Sequence, residues 1–440
     1  MGFDSLKGIY EKLPNKVKFM LMPLFVRTIT DNGVFKATIK ELDKFDRLDE
    51  KKQSELQFNE LKEILLYAGQ HVPFYKDIFD DCEFNPATIN SAADIEKLPL
   101  LTKEAVIKAG DRIFSDEEME FYTTFTGGSS GKSMKCLMEK NSYYKERAFF
   151  THFLAPYGYD PKKSRTVSFY GHNKGKDYYF SPVKGDIVIS PFRLFKEECF
   201  EDIFRLIESF KPDFITCYAS AVTYFARQCA KYGKELRLKA VVFTSENWTD
   251  EQEKLVTEVF NCPVVSTYGH TERAVFGTIK DGMCDFHKLY GYTELIPTDA
   301  EDEFQIVCTG FINRKMPLIR YVTDDVVQVE KNGAYKLIGH KKSDVFLIGK
   351  NGAKIFKGAM TLHIAEASKI GTYQYVQNEK GRVELHVVQD EILSDKDLKK
   401  ISDYVTERCE GLLDIDIKLV PEVKLTSRGK YIWAICNIEN

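Results

Sequence analysis

The chain has 440 residues, more than one hydrophobic core usually serves, so two or more domains are expected. Hydrophobic residues make up 43% and charged residues 29%, the balance of a water-soluble globular protein. A formal net charge of −4 argues against the broad basic footprint that nucleic-acid binding needs.

In chain order, the start MGFDSL falls short of a myristoylation signal, because Leu6 stands where Ser or Thr is required. The apolar run VKFMLMPLFV, flanked by Lys16 and Arg27, is too short to span a bilayer and lacks a small-residue cleavage site. It is expected to be a buried helix, with a helix lying on a membrane surface as the alternative. Residues 52–70 carry Leu56, Leu61, Ile64, Leu65 and Ala68 at helical spacing, and Pro73 is expected to end that helix. FYTTFT and SMKCLM then read as two strands around a Gly/Ser-rich turn.

Segment 198–269 alternates helix and strand: ECFEDIFRLIESF, DFITCY, AVTYFARQCAKYG, KAVVFTSE, WTDEQEKLVTEVF and PVVSTYG. Such alternation predicts crossover connections and a parallel sheet, whose ligand chemistry gathers beyond the carboxyl ends of the strands. After about residue 340, TYQYVQ and RVELHVV alternate about Glu379-Lys380-Gly381 as a hairpin. A surface helix, SDKDLKKISDYVTERC, and a strand, DIDIKLV, follow. The fold class expected is therefore α/β, with a large N-terminal domain of mixed and parallel sheets over residues 1–340 and a small, mobile α+β domain over 341–440.

Ten cysteines without a CxxC pair read as reduced thiols of a cytoplasmic protein. Cys284, Cys308 and His287 are a minor candidate for a zinc site against ordinary core residues.

The strongest chemical signal is Thr126-Gly127-Gly128-Ser129-Ser130-Gly131-Lys132. Glycines let backbone amides approach phosphate oxygens, the hydroxyls add donors, and Lys132 adds charge. A Walker loop is excluded, since Thr126 occupies its first glycine position and a strand follows where a helix is required. A ligand-free flexible turn is the alternative. Tyr268-Gly269-His270-Thr271-Glu272 lies at a predicted strand end, where Glu272 can bind magnesium. Asp325, following a strand in RYVTDD, can accept both ribose hydroxyls, and Lys430 stands in a glycine-bearing loop, TSRGK. Singly, these segments read equally as a strand-end turn, a solvated acidic pair and a basic surface loop.

In this order the motifs resemble the adenylate-forming superfamily, and specifically its phenylacetate–CoA ligase-like branch with the proteins associated with capsular polysaccharide synthesis. The resemblance spans nearly the whole chain, from LLYAGQHVPFYKDIF and LPLLTKEAV through TGGSSGKSMK, SENWTDEQ, STYGHTE, PLIRYVTDD and FLIGKNGAKIF to LTSRGK. It implies that Thr126–Lys132 hold the β- and γ-phosphates of ATP. Ser245, Glu246, Tyr268 and Gly269 would lie about the adenine, with His270 in the same segment. Thr271 would touch the α-phosphate, Glu272 would hold Mg²⁺, Asp325 would bind ribose, and Lys430 would be catalytic.

Three departures stand out. Asp324 replaces the usual glycine before the ribose aspartate. His340 replaces the hinge arginine, with Lys341 or Lys342 as substitute charge. The zinc cysteine pairs of some relatives are missing. The implied reaction is ATP-dependent activation of a small carboxylic acid, then transfer to a thiol, amine or hydroxyl acceptor, coenzyme A among the candidates. The competing readings are an adenylyltransferase that leaves AMP on a hydroxyl acceptor and a nucleotide-binding scaffold without turnover. Tyr170 and His172, in SFYGHNKGKDYYF, are the candidates for contact with the acid, a surface hairpin being the alternative.

Overall fold

A computed structural model describes residues 10, 13–126, 134–169, 178–181, 185–194, 197–244, 248–280, 282–300, 302–330, 333–339, 346–355, 360–362, 364–424 and 433–438. The chain opens with helices Asn15–Thr30, Gly33–Phe45, Glu50–His71 and Pro73–Asp81. The Asn32 and Asp49 side chains accept from backbone N–H groups of the second and third, satisfying donors that a helix start leaves open. As expected, the third helix ends at His71, ahead of Pro73. The proline takes the first-turn position of the next helix, where its missing N–H costs nothing, after Val72 makes an extended break. The first helix is not a buried one: Met22 and Ile29 face inward, whereas Met20 is 76% and Leu24 56% exposed.

Twenty strands follow among the described residues. β1 (Phe121–Phe125) and β2 (Lys135–Glu139) form an antiparallel hairpin. A twelve-stranded sheet comprises β3 (Thr166–Phe169), β4 (Tyr178–Ser181), β5 (Asp186–Ile189), β6 (Phe214–Cys217), β7 (Ala240–Phe243), β8 (Val264–Gly269), β9 (Phe276–Lys280), β10 (Met283–Phe286), β11 (Gly291–Pro297), β12 (Glu303–Gly310), β13 (Tyr321–Val329) and β14 (Tyr335–Gly339). Its order is β11-β12-β13-β14-β10-β9-β8-β7-β6-β3-β5-β4.

The half from β5 to β8 is parallel. Helices Phe200–Phe210, Ala219–Lys231 and Asp250–Phe260 are its connections, and they bury Phe204, Ile207, Phe225 and Phe260 against Val167, Ile215, Val241 and Phe243. From β9 onward the strands are antiparallel, the β9–β10 hairpin joining the β11–β14 meander through β10 and β14, an arrangement that the alternation argument did not predict. β3 and β4 are not a hairpin, because β3 sits between β5 and β6 while β4 pairs only with β5.

β15 (Leu347–Ile348) pairs with β16 (Lys354–Ile355). β17 (Ile370–Glu379), β18 (Arg382–Gln389), β19 (Asp414–Leu419) and β20 (Ala434–Cys436) form a separate sheet in the order β19-β18-β17-β20. Helix Asp395–Arg408 belongs to this sheet's core, burying Ile401 and Val405 in a cluster with Tyr375, Leu385 and Trp433. Among the described residues, that core draws none from before Leu347. Gly381 turns the β17–β18 hairpin at φ +77°, a conformation that disfavours any side chain.

Candidate active site at the carboxyl end of the parallel strands

β8 delivers Tyr268 and Gly269 to the edge of the sheet, and the chain leaves it as His270-Thr271-Glu272. The Tyr268 hydroxyl donates to Asp325 Oδ2 at 2.9 Å. Asp325 does not follow a strand, as the sequence suggested, but lies inside β13. The β12–β13 register there skips from Gln305↔Val326 to Val307↔Val322, a bulge of the kind that re-aims a side chain. Thr323 Oγ1 accepts from the Asp325 N–H at 3.2 Å and closes that bulge. Burial and the adjacent Asp325 raise the Tyr268 pKa well above its ordinary value, so the phenol remains a donor.

Four residues on, Glu272 is almost buried. His270 Nδ1 lies 3.2 Å from Glu272 Oε2, and Tyr321 donates its hydroxyl to Glu272 Oε1 at 3.1 Å. Burial opposes charge on both partners of the His270–Glu272 pair, but their mutual attraction outweighs it. The His270 pKa is raised well above its ordinary value, and that of Glu272 falls to about 2, with Lys103 adding to the latter. Glu272 is therefore an ionised, hard oxygen donor at neutral pH. Magnesium commonly takes only one or two protein carboxylates and completes its shell with phosphate oxygens and water, so this residue fits such an ion.

The turn carrying Glu272 is held by close backbone contact. Arg273 adopts φ +53°, a left-handed conformation unusual for a side-chain-bearing residue. Beneath it Gly291 and Gly310 face each other across β11 and β12. A Cβ on Gly310 would lie 2.7 Å from Ala274 Cα, and one on Gly291 would lie 2.6 Å from Ala274 O.

Arg273 itself escaped the sequence reading. It pairs with Glu146 at 2.6 Å and donates to Ser142 Oγ and to the Tyr122 hydroxyl, tying the turn to helix Lys140–Leu154 and to β1. Its place directly after STYGHTE was the available signal, but a lone arginine after a strand end says nothing about a partner on a distant helix.

Thr126 is buried at the neck of the β1–β2 hairpin. Its N–H donates to Met134 O at 2.9 Å, and its hydroxyl accepts from the Met134 N–H at 3.0 Å. Gly127, Gly128, Ser129, Ser130, Gly131, Lys132, Tyr170, His172, Ser245, Glu246, Lys341 and Lys430 lie outside the described residues. Cys284, Cys308 and His287 do not converge as a metal site. His287 packs its ring against Phe149 and Phe45, burial pushes its pKa down to about 4, and the described residues contain no metal-competent group of three His, Cys, Asp or Glu side chains. All ten cysteines are free.

A cleft of about 630 Å³ runs from Gly269, His270 and Thr271 across one face of the parallel strands, under helix Lys140–Leu154. Tyr143, Glu146, Arg147 and Phe150 of that helix form its roof. Tyr268 and Thr244 flank it at the strand ends. Among the described residues, no helix is long and apolar enough to cross a membrane.

Comparison with known proteins gives a consistent result. Residues 347–437 match the family model described as the CapK C-terminal domain. The chain is 24% identical over 412 residues to the protein CapK of Staphylococcus aureus, covering 88% of this chain and 89% of that one. It is 22% identical over 363 residues to the phenylacetate-coenzyme A ligase of Escherichia coli K12, covering 77% and 82%. Its fold superposes on 2-hydroxyisobutyryl-CoA ligase, solved with 2-HIB-AMP and CoA in the thioesterification state, with TM-score 0.56, 16% identity, and coverage of 88% and 90%. By sequence along its length the chain is similar to CapK and to phenylacetate-coenzyme A ligase, and its fold is that of 2-hydroxyisobutyryl-CoA ligase.

Proposed function

We propose that the protein is an ATP-dependent adenylate-forming ligase: it joins a carboxylic acid to AMP and passes the acyl group to an acceptor, coenzyme A being the acceptor its relatives support best. The observation that supports this reading is that one strand end, whose Tyr268, His270 and Thr271 line the cleft, holds both acidic candidates: Tyr268 bonds Asp325, and His270 pairs with an ionised Glu272.

In the first step a substrate carboxylate oxygen attacks the α-phosphorus of ATP, the bond to the β-phosphate bridging oxygen breaks, and pyrophosphate leaves. Both reactants are anions, so the site must offset like charge in a partly dry environment. The amides and Lys132 of the Thr126–Lys132 loop would hold the outgoing phosphates. Asp325, braced by Tyr268, would accept from ribose. Mg²⁺ held by Glu272 would supply positive charge against the phosphate oxygens. His270 keeps the Glu272 carboxylate ionised and aligned, while Lys430 would bring a further positive charge to the α-phosphate. In the second step the acceptor thiol attacks the acyl carbon and AMP leaves.

The domain boundary near residue 340, the mobility of the small domain and a cytoplasmic location belong to the same reading. Hinge motion about residues 340–345 would exchange Lys430 for acceptor-binding groups between steps. Acid-dependent exchange of labelled pyrophosphate into ATP is the direct test. Transfer of AMP to a hydroxyl compound without any acid-dependent exchange would instead establish an adenylyltransferase.

A further inference from the structure

The turn at the end of β8 is closed by the Arg273 N–H, which donates to His270 O at 3.1 Å, so Thr271 and Glu272 are its two central residues. Arg273 ends that turn in a left-handed conformation, φ +53°. A residue with a side chain stays there only when its surroundings over-determine it, and such strain gathers at functional sites.

The Arg273 side chain provides the hold. It is 12% exposed, and its guanidinium reaches three groups on two other elements. Nη2 lies 2.6 Å from Glu146 Oε2, while Nη1 donates to Ser142 Oγ at 2.9 Å and to the Tyr122 hydroxyl. Ser142 stands where β2 passes into helix Lys140–Leu154, and its own hydroxyl donates to Glu139 O at 2.6 Å. Tyr122 lies on β1, so two of the three partners brace the stem of the hairpin that leads into Thr126–Lys132. Glu146 and Arg273 both line the cleft, one from its roof and one from the strand-end turn. An arginine suits this place better than a lysine, because one planar fork meets three partners in fixed directions.

Resting on the ligase reading above, we infer that Arg273 is the positioning residue of the metal site. It fixes the Thr271–Glu272 turn against the hairpin stem and the roof helix, in the place where the α-phosphate and Mg²⁺ are to be met. Magnesium-dependent nucleotide binding therefore rests on Glu146, a residue of a different element more than 120 residues earlier in the chain. Arg273 donates nothing to the metal itself; it acts through the backbone of the residue before it. Groups that orient a metal ligand in this way typically set its affinity by about 10–100-fold.

Calorimetric titration of the full-length protein with α,β-methylene-ATP, once with Mg²⁺ and once with EDTA, tests this. The quantity read is the ratio of the two affinities. Arg273→Ala and Glu146→Gln should each lower that ratio by about 10-fold or more, with the affinity in EDTA nearly unchanged. Arg273→Lys, which keeps the charge but not the fork, should restore part of it. Since Arg273 and Glu146 act through one contact, the double variant should lose no more than the worse single one. If Arg273→Ala does not fold, Glu146→Gln and Tyr122→Phe, on less buried side chains, should lower the same ratio. A ratio unchanged in these variants, or affinities that fall equally with Mg²⁺ and with EDTA, makes Arg273 a structural staple. Either result overturns the inference and leaves the ligase reading standing. Wild-type protein that does not bind the analogue under either condition overturns both.

Discussion

Tyr268 and Asp325 are joined by a 2.9 Å hydrogen bond across 57 residues of chain, and that bond locks the end of a parallel strand to a bulge in an antiparallel one. Tyr268→Phe removes a donor to a carboxylate and should cost about 1.5–3 kcal/mol of stability. Asp325→Ala should in addition raise the KM for ATP, because the proposed charge-assisted acceptor for ribose would be lost. Equal KM for ATP in wild type and Asp325→Ala, beside a lowered melting temperature, would assign this pair to structure alone.

The His270–Glu272 pair gives the stability curve two sloping limbs. Glu272 has a depressed pKa, so its contribution is complete above its ordinary 4.5 and is lost as pH falls through about 2. His270 has a raised pKa, so its contribution is complete below its ordinary 6.5 and fades as pH climbs toward the higher folded value. Urea unfolding of wild type and His270→Gln from acid to alkaline pH should differ most below pH 6.5 and above 4.5, and converge in the alkaline range. A constant offset across that range would show that His270 is not charged in the folded protein.

Gly310→Ala places a methyl group 2.7 Å from the Ala274 backbone, where no flexible side chain can give way. Overpacking of this kind typically costs about 1–3 kcal/mol. Since the displaced backbone carries Glu272, the variant should also need more Mg²⁺ for half-maximal exchange. A variant with wild-type melting temperature and Mg²⁺ titration would show that the turn is not held from below.

If Lys430 acts as proposed, on the transition state, Lys430→Ala should lower acyl-adenylate formation by on the order of 10²–10³ while leaving ATP affinity nearly unchanged. Single-turnover formation of acyl-adenylate and calorimetric ATP titration separate the two quantities. A wild-type rate would remove Lys430 from the chemistry.

The parallel half of the large sheet and the hairpin of the small one were legible because their determinants are local. FITC and AVVF are apolar runs between amphipathic helices, and TYQYVQ and RVELHVV alternate about a turn glycine. The antiparallel half from β9 to β14 was not legible, since short strands such as MCDF carry neither period clearly. The STYGHTE and VTDD segments were readable as motifs, but the bulge that brings Asp325 to Tyr268 depends on pairing with β12. Arg273 was invisible for the same reason: its partners Glu146, Ser142 and Tyr122 lie more than 120 residues earlier.

The long-range stitching of the site has a consequence for the order in which the molecule can be made. Tyr75 accepts from the Ile319 N–H and donates to Pro317 O, while Arg320 donates to Leu98 O and pairs with the buried Glu294. Leu101 bridges Tyr321 in register, just before the helix that starts at Lys103. The helical segment of residues 50–116 therefore cannot reach its final seat until the ribosome has added more than two hundred further residues. Leu61, Leu65, Tyr75 and Ile95, which belong to a core shared with β12 and β13, lack those partners during that interval. Contacts of such sequence separation slow folding and leave apolar surface open to association. The core under β12 and β13 is thus among the last parts of this molecule to close.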